Sequence, residues 1–220
     1  TARVRDIVRD LAGESIIVAR NLDGDVRGFY NVCVHRGTKL LDETEPGGCG
    51  HVGKAFKCPY HAWAYALDGS LAGIPRSDTF PDLDKASHHL KELPSLEAGG
   101  LIWFSFDESA DFSDASGLTP DMEAFGLAGH LLYRRHVHDV AANWKLIMDA
   151  FLEGYHVQRL HSSTIARFFT DGISIADRLG PHQRSLVARS GYLDQVDTTD
   201  WAAVRAIMTY TYQLFPATIM

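Results

Sequence analysis

The chain has 220 residues, 45% of them hydrophobic, enough for one large domain or two small ones with cores of their own. Its 21 Lys and Arg against 28 Asp and Glu give a net charge of −7 without a basic run, which argues against a nucleic-acid partner. No apolar stretch approaches the roughly 18 residues of a membrane span, and the opening TARVRDIVRDLAGESIIVA lacks the apolar core and cleavage site of a signal peptide.

In chain order, Glu14 to Arg20 and Val26 to Val32 are rich in β-branched and aromatic residues and read as strands. Asp23-Gly24 between them is a hairpin signal, because glycine accepts the positive φ of a tight turn. The second strand runs straight into Cys33-Val-His35-Arg-Gly, and with 22 residues between His35 and Cys58 comes Cys58-Pro-Tyr-His61. Ala62 to Leu67 alternates up to a turn at Asp68-Gly69, and Leu101 to Phe106 reads as a buried strand closing a small β-domain with two metal loops at one tip.

Two thiolates and two imidazoles, arranged as two tight Cys/His pairs, suit a 2Fe–2S centre in which histidines replace cysteines on one iron. With two ferric ions, two sulfides and two thiolates such a cluster is neutral, and it accepts an electron at about −150 to +300 mV. Zinc also takes two Cys and two His, but finger spacing pairs Cys with Cys and His with His. Cys49-Gly-His51 imitates the first half-site without a second half and reads as an exposed loop feature. With Cys33 and Cys58 as ligands no disulfide pair remains, which fits a reducing cytoplasm.

CVHRG followed by CPYHAWAY resembles the Rieske domain of ring-hydroxylating, or Rieske non-heme iron, oxygenases. Rieske proteins of the cytochrome bc type carry an extra cysteine beside each half-motif; here those places hold other residues, Tyr60 among them. The loop between the half-motifs is longer than is usual in the oxygenases. The resemblance implies cluster ligands Cys33, His35, Cys58 and His61, with Arg36 and Trp63 shaping and shielding the cluster.

Asp107 to Pro120 is polar and acidic and reads as a boundary or surface connection. Beyond it Asp121 to Leu127 suits a short helix, and Leu131 to Ala141 alternates like a strand with His136 and His138 on one solvated face. His88, His89 and His182 have no partner pattern and read as solvated too. Asn143 to His161 has Trp144, Ile147, Phe151 and Tyr155 on one helical stripe behind an Asn143 cap. On a straight helix His156 and His161 stand about 140° apart and roughly 7 Å along the axis, so they share an ion only if the helix bends, near Gly154 and Val157. Further on, Ser162 to Phe169 continues as helix, Ser185 to Arg189 is a strand, Thr199 or Asp200 caps a helix WAAVRAIMTY, and Tyr210 to Phe215 is a strand.

On its own Glu-x-x-His-x-x-x-x-His is no better than a chance match. The resemblance extends here, however, through NWK, an acid, Tyr-His and a second histidine. It implies that His156 and His161 bind a mononuclear Fe(II), with a late carboxylate as third ligand that is expected beyond Met220. Asp171, Asp177, Asp194, Asp197 and Asp200 follow too early to match it. Glu153 stands where relatives have the Asp that bridges electrons between a neighbouring subunit's Rieske histidine and an iron ligand; Asp149 is a weaker candidate. Ala150 stands where many relatives have Asn.

The expected architecture is α+β: an antiparallel Rieske 2Fe–2S domain over residues 1–115, then, over 116–220, the N-terminal part of a helix-grip (START-like) catalytic domain. Both chain ends read as cut from something longer. The implied function is a terminal oxygenase, a mono- or dioxygenase, that hydroxylates or demethylates a small, aromatic organic substrate, as in aromatic hydrocarbon catabolism. Its expected partners are an NAD(P)H-dependent reductase, a ferredoxin, dioxygen and further copies in a homotrimer, with or without β subunits. The alternatives are a Rieske-type electron carrier and a ligand-binding subunit without a working mononuclear iron.

Overall fold

The computed structural model describes residues 6–42, 50, 52–197 and 199–220, and the chain divides into two compact units, Thr1–Val137 and His138–Met220. Cys49 and His51, the isolated imitation of a half-site, lie outside the described residues.

The first unit holds strands β1 (Asp6–Leu11), β2 (Glu14–Arg20), β3 (Val26–Tyr30), β4 (Ala55–Lys57), β5 (Ala64–Ala66), β6 (Leu71–Gly73), β7 (Glu92–Leu93), β8 (Ser95–Ala98) and β9 (Leu101–Phe104). They form sheets in the order β1-β2-β3-β7, β4-β5-β6 and β8-β9, antiparallel throughout. β2 matches the sequence expectation residue for residue, whereas β1 was not anticipated. The β2–β3 hairpin turns at Gly24 (φ 99°), and Asn21 holds it by accepting from the Asp23 and Asp25 N–H groups. Inward residues Val8, Ile17, Ala19 and Phe29 join Phe56, Trp63, Tyr65, Cys33 and Cys58 in one buried cluster. Gly69 (φ 86°) lies so close that a Cβ there would sit 2.6 Å from the Phe29 ring. β9 is less buried than its composition suggested: Ile102 is exposed.

The polar segment expected to be a connection is partly helical. Helix α1 runs Ser113–Ala124 with Pro120 inside it and buries Ala115, Leu118 and Met122 on one face. Asp111 accepts the Ser113 N–H at its start. An interior proline costs a helix about 3 kcal/mol, which burial of Leu118 and Met122 offsets at roughly 1.5–3 kcal/mol each. The helix thus starts well before Pro120, and it packs on the first unit, where a Cβ on Gly99 would meet Met122. The boundary between units falls at 137/138, against the 115/116 expected. Residues 130–142 have no regular structure; the alternation of Leu131 to Ala141 finds no ladder partner among the described residues.

The second unit begins with two short helices, α2 (Trp144–Asp149) and α3 (Val157–Leu160), in place of the single helix expected. Strands β10 (Phe169–Leu179) and β11 (His182–Arg189) follow, then helix α4 (Trp201–Ala206), then β12 (Met208–Leu214) and β13 (Thr218–Ile219). The sheet order is β10-β11-β12-β13, antiparallel throughout. Residues 162–168 form turns and a short 3-10 segment and not a helix, and β10 had no counterpart in the sequence expectations. Asp200 caps α4 by accepting from Ala202 and Ala203 N–H, and α4 ends earlier than its pattern suggested because Met208 joins the ladder with Ala188. His182 is buried, not solvated, and its Nδ1 accepts the Phe215 N–H at 3.0 Å. No described helix is long and apolar enough to cross a membrane.

Candidate functional site

In the first unit the Cys/His pairs sit on two loops whose backbones repeat one pattern. Cys33 N–H donates to Thr38 O (2.9 Å) and Gly37 N–H to Cys33 O (2.8 Å); Cys58 N–H donates to Trp63 O (2.8 Å) and Ala62 N–H to Cys58 O (3.0 Å). The fifth residue of each loop is left-handed, Gly37 at φ 71° and Ala62 at φ 57°. The histidine is third in one loop and fourth in the other, so a repeat of backbone is hidden in sequences that do not repeat.

The loops bring the two histidines together and bury the two cysteines. The His35 and His61 rings lie 4.8 Å apart, and His35 stacks on Trp63 at 4.7 Å and 4°. Cys33 and Cys58 are buried free thiols. His35 Nδ1 is buried without a hydrogen-bond partner, an unusual state for a polar atom and the one expected of an atom that ligates a metal. Burial, then the neighbouring His61 and Arg36, hold the His35 imidazole below its usual pKa, favouring the neutral ligating form. Among the described residues no three His, Cys, Asp or Glu side chains converge on one ion. A zinc cage takes four ligands on one ion, whereas a two-iron cluster takes two protein ligands per iron. The donors fit the cluster.

Two further residues complete this centre, and sequence reasoning missed both. Asn31 is fully buried and clamps the first loop: its Oδ1 accepts from Leu40 N–H (2.9 Å) and Leu41 N–H (3.1 Å), and its Nδ2 donates to Leu41 O (2.7 Å) and Ser15 Oγ (3.2 Å). Tyr65, on β5 beyond the second loop, reaches across to the first, its hydroxyl 3.2 Å from Cys33 Sγ. Burial and the Cys33 sulfur push the Tyr65 phenol above its ordinary pKa, so it keeps its proton. Tyr65 is the last residue of CPYHAWAY, and nothing in that motif marks its hydroxyl.

In the second unit Asn143 caps α2 by accepting the Lys145 N–H, and the helix stops at Asp149. The break before α3 brings the His156 and His161 rings to 5.4 Å and 66°, whereas a straight helix would hold them apart. Glu153 accepts from His156 twice, from its backbone N–H at 3.0 Å and from its ring Nδ1. That fixes the ring and leaves Nε2 as the nitrogen available to a metal. The His156 side chain, more than any other group, holds the Glu153 carboxyl below its ordinary pKa.

Glu153, His156 and His161 line one cavity of ≈ 250 Å³ with Ala150, Phe151, Leu152, Val157, Ile165 and Phe169. Its floor is the sheet, in two cross-strand rows, Ser174–Val187–Thr209 and Ala176–Ser185–Thr211. Asp149, at the end of α2, is not among the residues that line it. Three of the carboxylates that follow His161 have local partners: Asp177 pairs with Arg184, Asp197 accepts from Thr199 and Asp200 caps α4. Two imidazoles, one tied to a carboxylate, fit a metal that draws its remaining ligands from elsewhere.

Comparison with known proteins agrees with both halves. A family profile described as a Rieske [2Fe-2S] domain matches residues 4–94, and one described as the catalytic domain of a ring-hydroxylating alpha subunit matches residues 130–219. The chain belongs to the Rieske oxygenase α subunits. Its two domains are those that carry a 2Fe–2S cluster and a mononuclear iron. It is 33% identical over 181 residues to the carnitine monooxygenase oxygenase subunit of Acinetobacter baumannii, covering 77% of this chain and 44% of that one. It is 31% identical over 192 residues to the glycine betaine monooxygenase oxygenase subunit of Chromohalobacter salexigens, covering 86% of this chain and 42% of that one. The crystal structure of the quaternary ammonium Rieske monooxygenase CntA with L-carnitine matches with a TM-score of 0.76 at 26% identity, over 98% of this chain and 55% of that one. Naphthalene 1,2-dioxygenase with indole matches with a TM-score of 0.77 at 22% identity, over 100% and 57%, a likeness of fold. The chain thus spans under half the length of these curated relatives.

Proposed function

We propose that this Rieske oxygenase chain takes electrons at Cys33, His35, Cys58 and His61, and uses them at an iron held by His156 and His161 to hydroxylate a carbon next to the nitrogen of a quaternary ammonium compound. The observation that carries the reading is the convergence of His156, His161 and Glu153 on one cavity in a chain that also holds the Cys/His quartet. When bound, the cluster supplies a one-electron relay and the iron supplies dioxygen activation. The residues do the rest. Glu153 orients His156 and is the proposed bridge on the electron path, with Asp149 a weaker candidate; a carboxylate beyond Met220 is the proposed third ligand.

The choice of substrate follows the relatives, whose names specify carnitine and glycine betaine; the aromatic substrate expected from sequence gives way to it. The cavity supports this chemistry with two aromatic side chains, Phe151 and Phe169, and one carboxylate, Glu153, groups that favour a methylated ammonium. Hydroxylation beside the nitrogen gives an alcohol that falls apart into an amine and an aldehyde. The proposed partners are a reductase, directly or through a ferredoxin, and further copies of the chain in a homotrimer, with or without β subunits. One solved relative is described in terms of inter-subunit electron transfer.

The test is turnover by the full-length protein with NADH and a reductase on a panel of quaternary amines and aromatic acids. Aldehyde release from an amine, abolished by Glu153→Ala, is the expected result. Oxidation of the aromatic acids alone would overturn the substrate assignment, and full activity of Glu153→Ala would overturn the role of Glu153.

A further inference from the structure

We propose that Gln183 and Gln213 are positioning residues: they hold the break between α2 and α3 and, through it, the pairing of His156 with His161. This rests on the reading of those histidines as iron ligands. In a continuous helix Phe151 O would accept from Tyr155 N–H and Leu152 O from His156 N–H. Both bonds are replaced. The Glu153 carboxylate takes the His156 N–H, and the two freed carbonyls are taken from the sheet. Gln183 Nε2 donates to Leu152 O at 3.2 Å, and Gln213 Nε2 donates to Phe151 O.

The two glutamines are direct cross-strand partners on β11 and β12, so one rung of the ladder carries both donors to consecutive carbonyls. Gln213 is buried, where an amide without a partner is unfavourable and rarely found. Glycine is not what breaks the helix. Gly154 is not left-handed, and a Cβ there would meet only Val187 Cγ2, at an ordinary 3.8 Å. The two glutamine amides supply the bonds that the broken helix leaves open at Phe151 O and Leu152 O. Without the glutamine donors the segment regains those bonds by closing into helix, and a closed helix turns His156 and His161 away from one another.

The test compares full-length wild type with Gln213→Leu, Gln183→Leu and Gln183→Lys, the last keeping a donor of similar reach at a half-buried position. Iron is stripped and returned anaerobically; Fe(II) affinity and the EPR rhombicity of the nitric oxide adduct are read, with the Rieske EPR signal as internal control. Expected are a loss of Fe(II) affinity of about tenfold to a hundredfold in both Leu variants, as for other residues that orient metal ligands, and an altered rhombicity. Gln183→Lys is expected to stay near wild type. Wild-type affinity and rhombicity in Gln183→Leu would overturn the proposal even if Gln213→Leu fails to fold. A role in stability alone would lower the melting temperature and leave the nitric oxide spectrum unchanged, which also overturns it. A wild type that gives no nitric oxide adduct overturns the ligand assignment and this inference with it.

Discussion

Asn31→Ala removes four hydrogen bonds from a residue with no exposed surface. Two backbone donors, Leu40 and Leu41 N–H, and one acceptor, Leu41 O, lose their partner, and Leu40 is itself buried. Each buried group left unsatisfied costs about 1–3 kcal/mol, and water entering the small space left by the amide recovers part of that. The expected destabilisation is roughly 3–5 kcal/mol, a large share of the 5–15 kcal/mol typical of a domain. Because Asn31 fixes both ends of the loop that carries Cys33 and His35, the loss falls on the cluster first. Asn31→Asp keeps the acceptor for Leu40 and Leu41 but sets a carboxylate against Leu41 O, so it falls between alanine and wild type. The assay is urea denaturation followed in parallel by far-UV circular dichroism and by the visible circular dichroism of the cluster. An Asn31→Ala protein that keeps its cluster to the wild-type urea midpoint would show that Asn31 does not hold the cluster loop.

Tyr65→Phe removes the proton that a bound, deprotonated Cys33 sulfur accepts; because that bond favours the reduced cluster, an EPR-monitored titration is expected to find reduction about tenfold less favourable, a fall of ~59 mV for one electron. The paired loops predict opposite responses at their left-handed residues: Gly37→Ala meets no atom within 4 Å and costs about 1 kcal/mol in backbone strain alone, while Ala62→Gly is neutral or slightly stabilising, as thermal melts of the loaded protein can check. The Arg20 guanidinium holds the Glu97 carboxyl below its ordinary range, so its stabilisation is present above the unfolded value and is lost as pH falls through the lowered folded one. Stability is therefore expected to fall more steeply below about pH 4.5 in wild type than in Glu97→Gln, by less than ~1 kcal/mol because the pair is exposed and screened.

The parts legible in the sequence were those whose chemistry is local. Cys33, His35, Cys58 and His61 announce themselves by residue type and spacing, and Asp23-Gly24 with its flanking β-branched residues gave a hairpin at the right place. Helix α1 was hidden because Ser, Asp, Gly and Pro signal loops, while the stripe of Ala115, Leu118 and Met122 has meaning only against the surface it covers. The break between α2 and α3 could be required by geometry, since His156 and His161 cannot meet on a straight helix, but its cause could not be read. It lies in Gln183 and Gln213, which come from strands 31 and 62 residues away in sequence. Asn31 and Tyr65 were missed for the same reason: each bonds partners distant in sequence, Asn31 at Ser15, Leu40 and Leu41 and Tyr65 at Cys33.

One protein is proposed to hold two iron centres of different kinds. The most direct measurement is EPR of the purified full-length protein, reduced and then as its anaerobic nitric oxide adduct. Expected are a Rieske signal on reduction and a separate high-spin signal from nitric oxide on Fe(II), the second lost in His156→Ala and His161→Ala and the first retained. A Rieske signal alone, persisting after Fe(II) is added back, would contradict it and leave an electron carrier.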